Sequence, residues 1–396
     1  MPQPSPFHER TAPLCRSYAW KDWAGYCAVS RYDTSHEREY FAFRETAGLL
    51  DVSPLFKYEV KGPDAARLLG RMMTRDVSQL KVGRVAYSCW CDDDGYVVDD
   101  GTVSRLGEKH FRVTAADPSL HWLEDCGRGM NVELEDSSTR LAALALQGPT
   151  SRAVLVAAGA DVGKLKFFGV TQTTIGDVPV WISRTGYTGD LGYEIWIDSG
   201  SAVEVWDALM KAGEPHGIEP AGLDALDITR IEAGFILLGI DYYSSPKVVL
   251  KARKSTPLEL GFGWMVDPAR GNFIGREAIL AEQKRGPAWH LVGLEVSWEA
   301  LEALYETFNL PPSLPATARR DGLPIYADNG AQVGKATSHT WSPILKKYLV
   351  IASVERGWEK KGTRLLLEHT VEFERRKVAA TVVPTPFFDP ERKRKP

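Results

Sequence analysis

An acidic residue in a glycine-rich stretch is the first candidate for chemistry. Residues 183–196 read SRTGYTGDLGYEIW, with three glycines within seven residues and strand-like segments at both ends. Glycine supplies the positive-φ conformations that a tight link between strands needs, so turn chemistry alone favours a simple β-hairpin. Glu194, however, lies on a strand of large apolar residues, where a buried carboxylate is costly unless something pairs with it. Glu194 is therefore a candidate ligand-binding residue.

Two further acids lie on another predicted hairpin. Residues 87–91 and 96–104 have strand-like composition, and the DDDG sequence that joins them is a strong hairpin signal. The second strand carries Asp99 and Asp100, although aspartate is uncommon in strands. Because neighbouring strand residues point to opposite faces, one acid should face inward or into a cleft and the other away. A bulge or an edge strand with both acids in water explains the pair equally well.

An ion pair is the third candidate. A helix is predicted over residues 222–238, and it places Asp227 and Arg230 three residues apart, where they can meet on one face. A surface pair of little energetic consequence is the simpler interpretation. The sequence has no P-loop, no Gly-x-Gly-x-x-Gly after a strand, no HExxH and no Gly-x-Ser-x-Gly. Carboxylates, tyrosines and one arginine then suit a planar, hydrogen-bonding ligand that carries no triphosphate.

Composition narrows the class of protein. A chain of 396 residues predicts two or three domains, and a net charge of −4 gives no reason to expect a nucleic-acid partner. No apolar run reaches the ~18 residues of a membrane span, and the polar, proline-rich start does not resemble a secretory signal. The eight histidines lack ligand spacing, so we expect no metal. An odd number of cysteines without CxxC spacing favours reduced thiols and a cytoplasmic protein; they are Cys15, Cys27, Cys89, Cys91 and Cys126.

The order of the elements indicates an α+β fold. The patterns predict a helix over residues 36–49, a strand over 260–266, and several short strands with regular turns after about residue 287. Those short strands are typical of a small C-terminal β-barrel or sandwich. Residues 1–19 and 391–396 are expected to be irregular tails, the second with a solvated basic run.

Several motifs in order resemble the glycine-cleavage T-protein family of tetrahydrofolate-dependent aminomethyltransferases. RTGYTG with GYE at residues 184–194 is the most specific of them. The others are RETAGLLDVS (44–53), VKGPD (60–64), YVVDD (96–100), LQGP (146–149), RIEA (230–233), FIGREA (273–278), TS (337–338) and SP (342–343). Together they cover roughly residues 40–390.

The resemblance implies a fold and a domain organisation. It predicts a three-subdomain cloverleaf around a central folate channel. The folate-binding region would span residues 20–285, with subdomain 1 formed by about 20–55 plus 140–250 and subdomain 2 by about 56–139. A C-terminal β-barrel domain would follow over residues 286–390.

The resemblance also assigns roles to residues. Asp100 falls on the family's catalytic aspartate and is expected to contact the cofactor. Glu194 falls on the carboxylate that binds the pterin, Tyr87 and Tyr187 on folate-contacting tyrosines, and Arg230 on an arginine near the folate tail. The chemistry agrees, because one carboxylate can accept both adjacent N–H donors of a pterin in a bidentate contact. A carboxylate near N5 and N10 can stabilise a cationic transition state or manage a proton.

Departures from the family pattern concern the one-carbon donor. The family's Asp-Val-Ser-His-Met-Gly is replaced by residues 51–56, DVSPLF, and its Gly-Gly before the paired acids by Gly95-Tyr96. These changes favour a small-molecule methyl donor, with O-, S- or N-demethylation, over the lipoyl carrier protein of a true T-protein. Aromatic residues that could shape such a pocket, or belong to the core, are Phe56, Tyr58, Trp90, Tyr96, Tyr242 and Tyr243. A non-catalytic folate-binding protein is the remaining alternative.

Overall fold

The computed structural model describes residues 1–267 and 269–395. Its α-helices in chain order are α1 His8–Leu14, α2 Glu37–Glu45, α3 Ala65–Met72, α4 Leu120–Cys126, α5 Ser151–Ala157, α6 Ala202–Gly213, α7 Leu223–Glu232, α8 Arg276–Arg285 and α9 Trp298–Glu306. Within these ranges, no helix combines the length and the hydropathy that a membrane span requires.

In the described part of the chain, the strands form three larger sheets and one hairpin. In chain order they are β1 Ala19–Trp23, β2 Tyr26–Arg31, β3 Ala47–Asp51, β4 Phe56–Lys61, β5 Arg84–Cys91, β6 Val97–Gly107, β7 His110–Ala115, β8 Glu133–Asp136, β9 Leu141–Gln147, β10 Val170–Ile175, β11 Val178–Ser183, β12 Gly192–Asp198, β13 Ile218–Pro220, β14 Trp289–Val296, β15 Leu323–Tyr326, β16 Gln332–Ser342, β17 Lys347–Glu355, β18 Arg364–Val371 and β19 Glu374–Val383.

The first sheet has the order β10-β11-β12-β9-β3-β13 and carries the glycine-rich stretch. Its central strand β9, LAALALQ, is buried at every position. Leu144 packs with α5 and α6 on one face, whereas Ala143 and Ala145 pack with α2 and α7 on the other. A strand covered on both faces reads as a continuous apolar run rather than an alternating one, as β9 does.

The second sheet, β5-β6-β7-β4-β8, carries the paired aspartates on β6. Residues of α3 and α4 cover one face of it in a separate core. The strands β14, β17, β16, β15, β18 and β19 close into a barrel, as the turn pattern after residue 287 predicted. Closure leaves no unpaired sheet edge. The limits of the subdomains stay predictions.

The helix expected over residues 36–49 is too long. The helix α2 ends at Glu45, and the chain continues directly into β3. Leu49 and Leu50 pack in the cores on opposite faces of the first sheet. Neighbouring side chains that alternate between two faces are typical of a strand. A Cβ at Gly48 would lie 2.5 Å from the Phe43 ring, so the glycine allows the helix to pack against the strand that follows it.

Two other expectations about local structure are wrong. The segment predicted as a strand at 260–266 contains a 3₁₀ turn at Phe262–Met265. The N-terminal tail is not irregular throughout, since α1 lies within residues 1–19 and Phe7 before it is buried in the first core. At the other end, the Arg392 side chain contacts the buried Asp190 at 2.7 Å, so the basic run is not simply solvated.

Candidate functional site

Asp100 accepts hydrogen bonds from two tyrosines. The Tyr87 hydroxyl donates to Oδ2 at 2.5 Å, and the Tyr242 hydroxyl donates to Oδ1. Asp100 on β6 lies opposite Cys89 of β5, and Tyr87 is two residues from Cys89, so Tyr87 and Asp100 share one sheet face. Burial raises the pKa of Asp100, and the two hydroxyls oppose that rise because they stabilise the charged form. The residue as a whole is partly exposed, so a ligand can reach it.

Asp99 has a structural role, unlike Asp100. It is fully buried, and its Oδ2 accepts the backbone N–H groups of Ala116 and Asp117 at 3.1 and 3.0 Å. Burial, together with the charge of Asp100, raises the pKa of Asp99 well above its usual range. The interpretation in which both acids lie in water is wrong. Asp99 fixes the chain after β7, and Asp100 is the acid that a ligand can contact.

Tyr187 lies in the link between β11 and β12. Its hydroxyl donates to the carbonyl of Ile236, and its ring stacks on Phe235 with centroids 5.5 Å apart at 25°. Burial raises the pKa of Tyr187 well above its usual value; the charge of Asp100 adds to the rise and Arg230 opposes it. The pKa of Tyr87 is raised too, chiefly by burial and Asp100 and also by Tyr187. Tyr87 and Tyr187 therefore both lie close enough to Asp100 for its charge to raise their pKa values.

Glu194 lies on β12 directly opposite Ser183 of β11. Its Oε2 accepts the Thr185 hydroxyl at 2.5 Å, and burial raises the pKa of the carboxyl while the Thr185 and Ser183 hydroxyls oppose the rise. Over residues 1–267 and 269–395, no lysine, arginine or histidine lies within 4.0 Å of this carboxylate. Glu194 as a whole residue is partly exposed. Glu194 therefore retains acceptor capacity for a ligand with N–H donors.

Arg230 has its donors engaged inside the protein. Its Nε contacts Asp227, its Nη1 contacts Asp241 and its Nη2 contacts the Ser338 hydroxyl, each at 2.8 Å. Nη1 also donates to the Phe235 carbonyl at 3.1 Å. Burial alone would lower the pKa of Arg230, but Asp241 and Asp227 raise it, and the side chain is 1% exposed. The surface ion pair considered from the sequence is wrong. The role near the folate tail stays a prediction. The contacts favour a structural role, in which Arg230 holds α7 against the barrel.

Glu232, two residues after Arg230, anchors the same junction. One carboxylate oxygen accepts the hydroxyls of Tyr40 and Ser342, and the other accepts Arg44 Nε at 2.9 Å. The side chain is completely buried. Removing one partner of a buried charged network leaves the other charge uncompensated, which is costly. The RIEA motif is therefore a joint between the first sheet's helices and the barrel.

Tyr242 is the residue that sequence reasoning placed only among candidate pocket aromatics. Of the other five, Tyr58 and Trp90 are fully buried in the core of the second sheet. Tyr242 is 1% exposed, yet its hydroxyl reaches Asp100. The one local feature of the sequence that points to Tyr242 is its position in the Asp-Tyr-Tyr run after α7. In the structure Asp241 stabilises the turn there, because its carboxylate accepts the Leu237 N–H at 2.8 Å.

A separate groove of about 760 Å³ lies away from these residues. It is lined mainly by residues of α5 and the C-terminal tail, among them Pro149, Ala153, Arg392 and Lys395. None of the five predicted site residues lines it. Among the described parts of the chain, no group of three or more histidine, cysteine or acidic side chains is arranged to hold a metal ion.

Comparison with known proteins supports the resemblance of the motifs. Residues 7–270 match the GCVT N-terminal domain, and residues 308–389 match the glycine cleavage T-protein C-terminal barrel domain. The chain belongs to the glycine-cleavage T-protein family. The recognition of the family and the α+β fold with its C-terminal barrel are both confirmed.

Two T-protein relatives and one solved structure show the range of the similarity. An aminomethyltransferase of Halothermothrix orenii is 35% identical over 360 residues, which is 90% of this chain and 92% of the relative. A trimethylamine-oxide aldolase of Ruegeria pomeroyi is 34% identical over 98% of this chain, which spans only 47% of that protein's length. The crystal structure of the glycine cleavage system aminomethyltransferase T from Bartonella henselae matches with a TM-score of 0.84 at 26% identity, covering 98% of this chain and 99% of that one.

Proposed function

We propose that this member of the T-protein family transfers a one-carbon unit from a small methylated donor to tetrahydrofolate. The transferred group would be the methyl of an O-, S- or N-methyl compound, or an aminomethyl-derived carbon where the donor carries an aminomethyl group. The observation that carries the proposal is the partly exposed Asp100, held by the hydroxyls of Tyr87 and Tyr242. A binding protein alone has no need of a carboxylate fixed in this way.

The side chains fit tetrahydrofolate chemically. Glu194 has unused acceptor capacity and would hold the two adjacent N–H donors of the pterin. Tyr187 and Tyr87 would flank the ring, since tyrosines combine an apolar face with a polar edge. When bound, tetrahydrofolate supplies a nucleophilic nitrogen that accepts the carbon.

Asp100 would act on the transferring group. As a carboxylate it stabilises positive charge that develops as the carbon leaves its donor, or it accepts or returns a proton there. Tyr87 and Tyr242 occupy one carboxylate oxygen each, so they fix its orientation before a substrate arrives. Their hydrogen bonds also oppose the rise in the pKa of Asp100 that burial causes.

The choice of a small-molecule donor has two supports. The DVSPLF segment and Tyr96 replace family residues near the expected donor wall. In addition, the relative from Ruegeria pomeroyi is named for a small methylated amine oxide, and the similarity to it spans 98% of this chain.

A second candidate is the glycine-cleavage reaction itself, with an aminomethyl-lipoyl carrier protein as donor. It is favoured by aminomethyltransferases such as that of Halothermothrix orenii, which align over about nine-tenths of both chains. A third, a non-catalytic folate-binding protein, is disfavoured by the fixed Asp100.

The deciding experiment is a donor panel. The protein is incubated with tetrahydrofolate and, separately, aminomethyl-lipoyl protein, methoxybenzoates, dimethylsulfonio compounds and methylated amines or glycines. The readout separates 5-methyl from 5,10-methylene tetrahydrofolate. We expect product from a small methylated donor and none with Asp100→Asn. Product from the lipoyl protein alone would establish the second candidate, and folate binding without any product would establish the third.

A further inference from the structure

The last residues of the chain return to the glycine-rich stretch of the candidate site. After β19 the chain leaves the barrel, and the Phe388 N–H donates to the Glu232 carbonyl at 2.8 Å, at the end of α7. We call residues 388–395 the C-terminal segment and residues 184–190 the link. Tyr187 lies in the middle of the link. About 200 residues separate the two segments in the chain, so the tertiary fold brings them together.

The first contact holds the end of the link. Arg392 Nε donates to Asp190 Oδ1 and Arg392 Nη2 donates to Asp190 Oδ2, both at 2.7 Å. A two-point contact between a guanidinium and a carboxylate fixes direction as well as distance. The Asp190 side chain is completely buried, whereas that of Arg392 is 41% exposed. Arg44 lies 3.8 Å from the same carboxylate, so Asp190 keeps one counter-charge without Arg392.

The second contact holds the start of the link. Arg184 is 2% exposed, and its Nη2 donates to the carbonyls of Arg392, Lys393 and Lys395, the first two at 3.4 and 3.2 Å. These carbonyls lie at the end of a short 3₁₀ turn, where the last carbonyls have no partner within the turn. One turn of the C-terminal segment is therefore joined to both ends of the link.

The two contacts enclose residues that are expected to bind the cofactor. Thr185 is the second residue of the link, and its hydroxyl donates to Glu194 Oε2 at 2.5 Å. Tyr187 lies between the contacts, and its ring stacks on Phe235 with centroids 5.5 Å apart. Lys393 of the C-terminal segment places Nζ 5.4 Å from the centroid of the same Phe235 ring. Movement of the segment would displace the supports of both Glu194 and Tyr187.

The glycines of the link explain why it needs outside support. Gly189 has φ +77°, and a Cβ there would lie 2.5 Å from the Ala233 Cβ, so glycine is required at this position. With Gly186 the link has two glycines in seven residues, which leaves its backbone more conformations than other residues would. A ligand binds more weakly when the binding conformation is only partly populated.

We propose that Arg392 is a positioning residue for tetrahydrofolate binding. Through Asp190 it holds the link in the conformation that presents Tyr187 and Glu194 to the cofactor. This inference rests on the proposed function. Arg392 lies beyond residues 308–389, the part of the chain that matches the family's barrel domain.

Calorimetric binding of tetrahydrofolate tests the proposal. We expect Arg392→Ala to raise the dissociation constant about tenfold, because the link then spends most of its time in other conformations. Arg392→Lys keeps the charge without the two-point contact and should recover part of the affinity. With the donor that the panel identifies, KM for tetrahydrofolate should rise while kcat stays within about twofold, since the contacts of Asp100 are unchanged. A purely structural role would lower the thermal unfolding temperature and leave the dissociation constant unchanged.

Two further variants separate the Asp190 contact from a general effect of charge. Arg394→Ala removes the same charge from the same segment, where Arg394 pairs with Asp389 at 2.9 Å, and it should keep the wild-type affinity. Asp190→Asn should weaken binding by itself. Added to Asp190→Asn, Arg392→Ala should cause less than about a twofold further loss, because two residues that act through one contact are not additive.

Each contrary result has a definite meaning. If the wild type binds tetrahydrofolate and Arg392→Ala binds it within about twofold as tightly, the positioning role is overturned and the proposed function stands. Equal losses in Arg392→Ala and Arg394→Ala, or a full further loss on the Asp190→Asn background, also overturn the positioning role. A wild type that does not bind tetrahydrofolate refutes the proposed function and the positioning role together.

Discussion

Replacing Tyr242 with phenylalanine tests the geometry of the candidate site most directly. The substitution removes one hydroxyl and keeps the ring. Because Tyr242 is 1% exposed, the phenylalanine ring should stay in the same buried position. Asp100 then loses one of its two hydroxyl donors and keeps Tyr87 at 2.5 Å. A hydrogen bond to a charged group contributes about 1.5–3 kcal/mol, so kcat/KM should fall roughly 10- to 150-fold if Asp100 acts as a positioned carboxylate.

The pH dependence should change in a definite direction. The Tyr242 hydroxyl lowers the pKa of Asp100, so its removal raises that pKa. If the active form is the carboxylate, a higher pKa moves the acidic limb of the kcat/KM profile to higher pH. The assay is a pH series with the donor that the panel identifies, for the wild type and Tyr242→Phe. A purely structural role of Tyr242 would lower stability without moving this limb.

Tyr243→Phe is the matched control. Tyr243 is the next residue, and within the described residues its hydroxyl has no hydrogen-bond partner, so its loss should leave both kcat/KM and the acidic limb unchanged. Thermal unfolding of both variants monitors the fold. A Tyr242→Phe protein with kcat/KM within about twofold of the wild type and an unmoved limb would refute the role that we assign to the Tyr242–Asp100 contact.

Three other substitutions separate chemistry, cofactor binding and stability. Asp100→Asn should abolish turnover and leave tetrahydrofolate affinity within a few-fold by calorimetry; surviving turnover would show that the mechanism is wrong. Glu194→Ala should weaken tetrahydrofolate binding by about 2–4 kcal/mol, the scale for removing one side of a buried charged contact, and an unchanged dissociation constant would contradict the pterin assignment. Asp241→Ala should lower the free energy of unfolding in urea by about 3–5 kcal/mol because it leaves the buried Arg230 without one of its counter-charges. A loss below about 1 kcal/mol would mean that this joint contributes little.

Local sequence patterns were sufficient to predict the hairpins that hold the site. The DDDG turn and the strand-like composition around it predicted β5 and β6, and the glycines of residues 183–196 predicted the link between β11 and β12. These signals act over a few residues, where backbone preferences and turn chemistry decide the conformation. For the same reason Glu194 could be singled out as an unusual acid on an apolar strand.

Local patterns failed where packing against distant residues decides the structure. Residues 47–49 were included in the helix predicted over 36–49 but belong to β3, because Leu49 and Leu50 pack in two cores on opposite faces of the sheet. The basic tail looked solvated, yet Asp190, about 200 residues earlier, binds Arg392 at 2.7 Å. Tertiary contacts override local propensity when they bury apolar surface or pair a buried charge.

The sequence alone determined the family, the α+β fold with its barrel, and the acids and tyrosines to which the family motif assigns roles. It could not decide between Asp99 and Asp100 from alternation alone, because alternation states that they face opposite ways but not which way the core lies. Only the tertiary structure shows that Asp99 is enclosed, that Arg230 is engaged by internal partners, and that Tyr242 reaches Asp100 from 142 residues away. Hydrogen bonds between groups so far apart in the chain depend on how the sheets, helices and barrel pack together, and no local pattern encodes that packing.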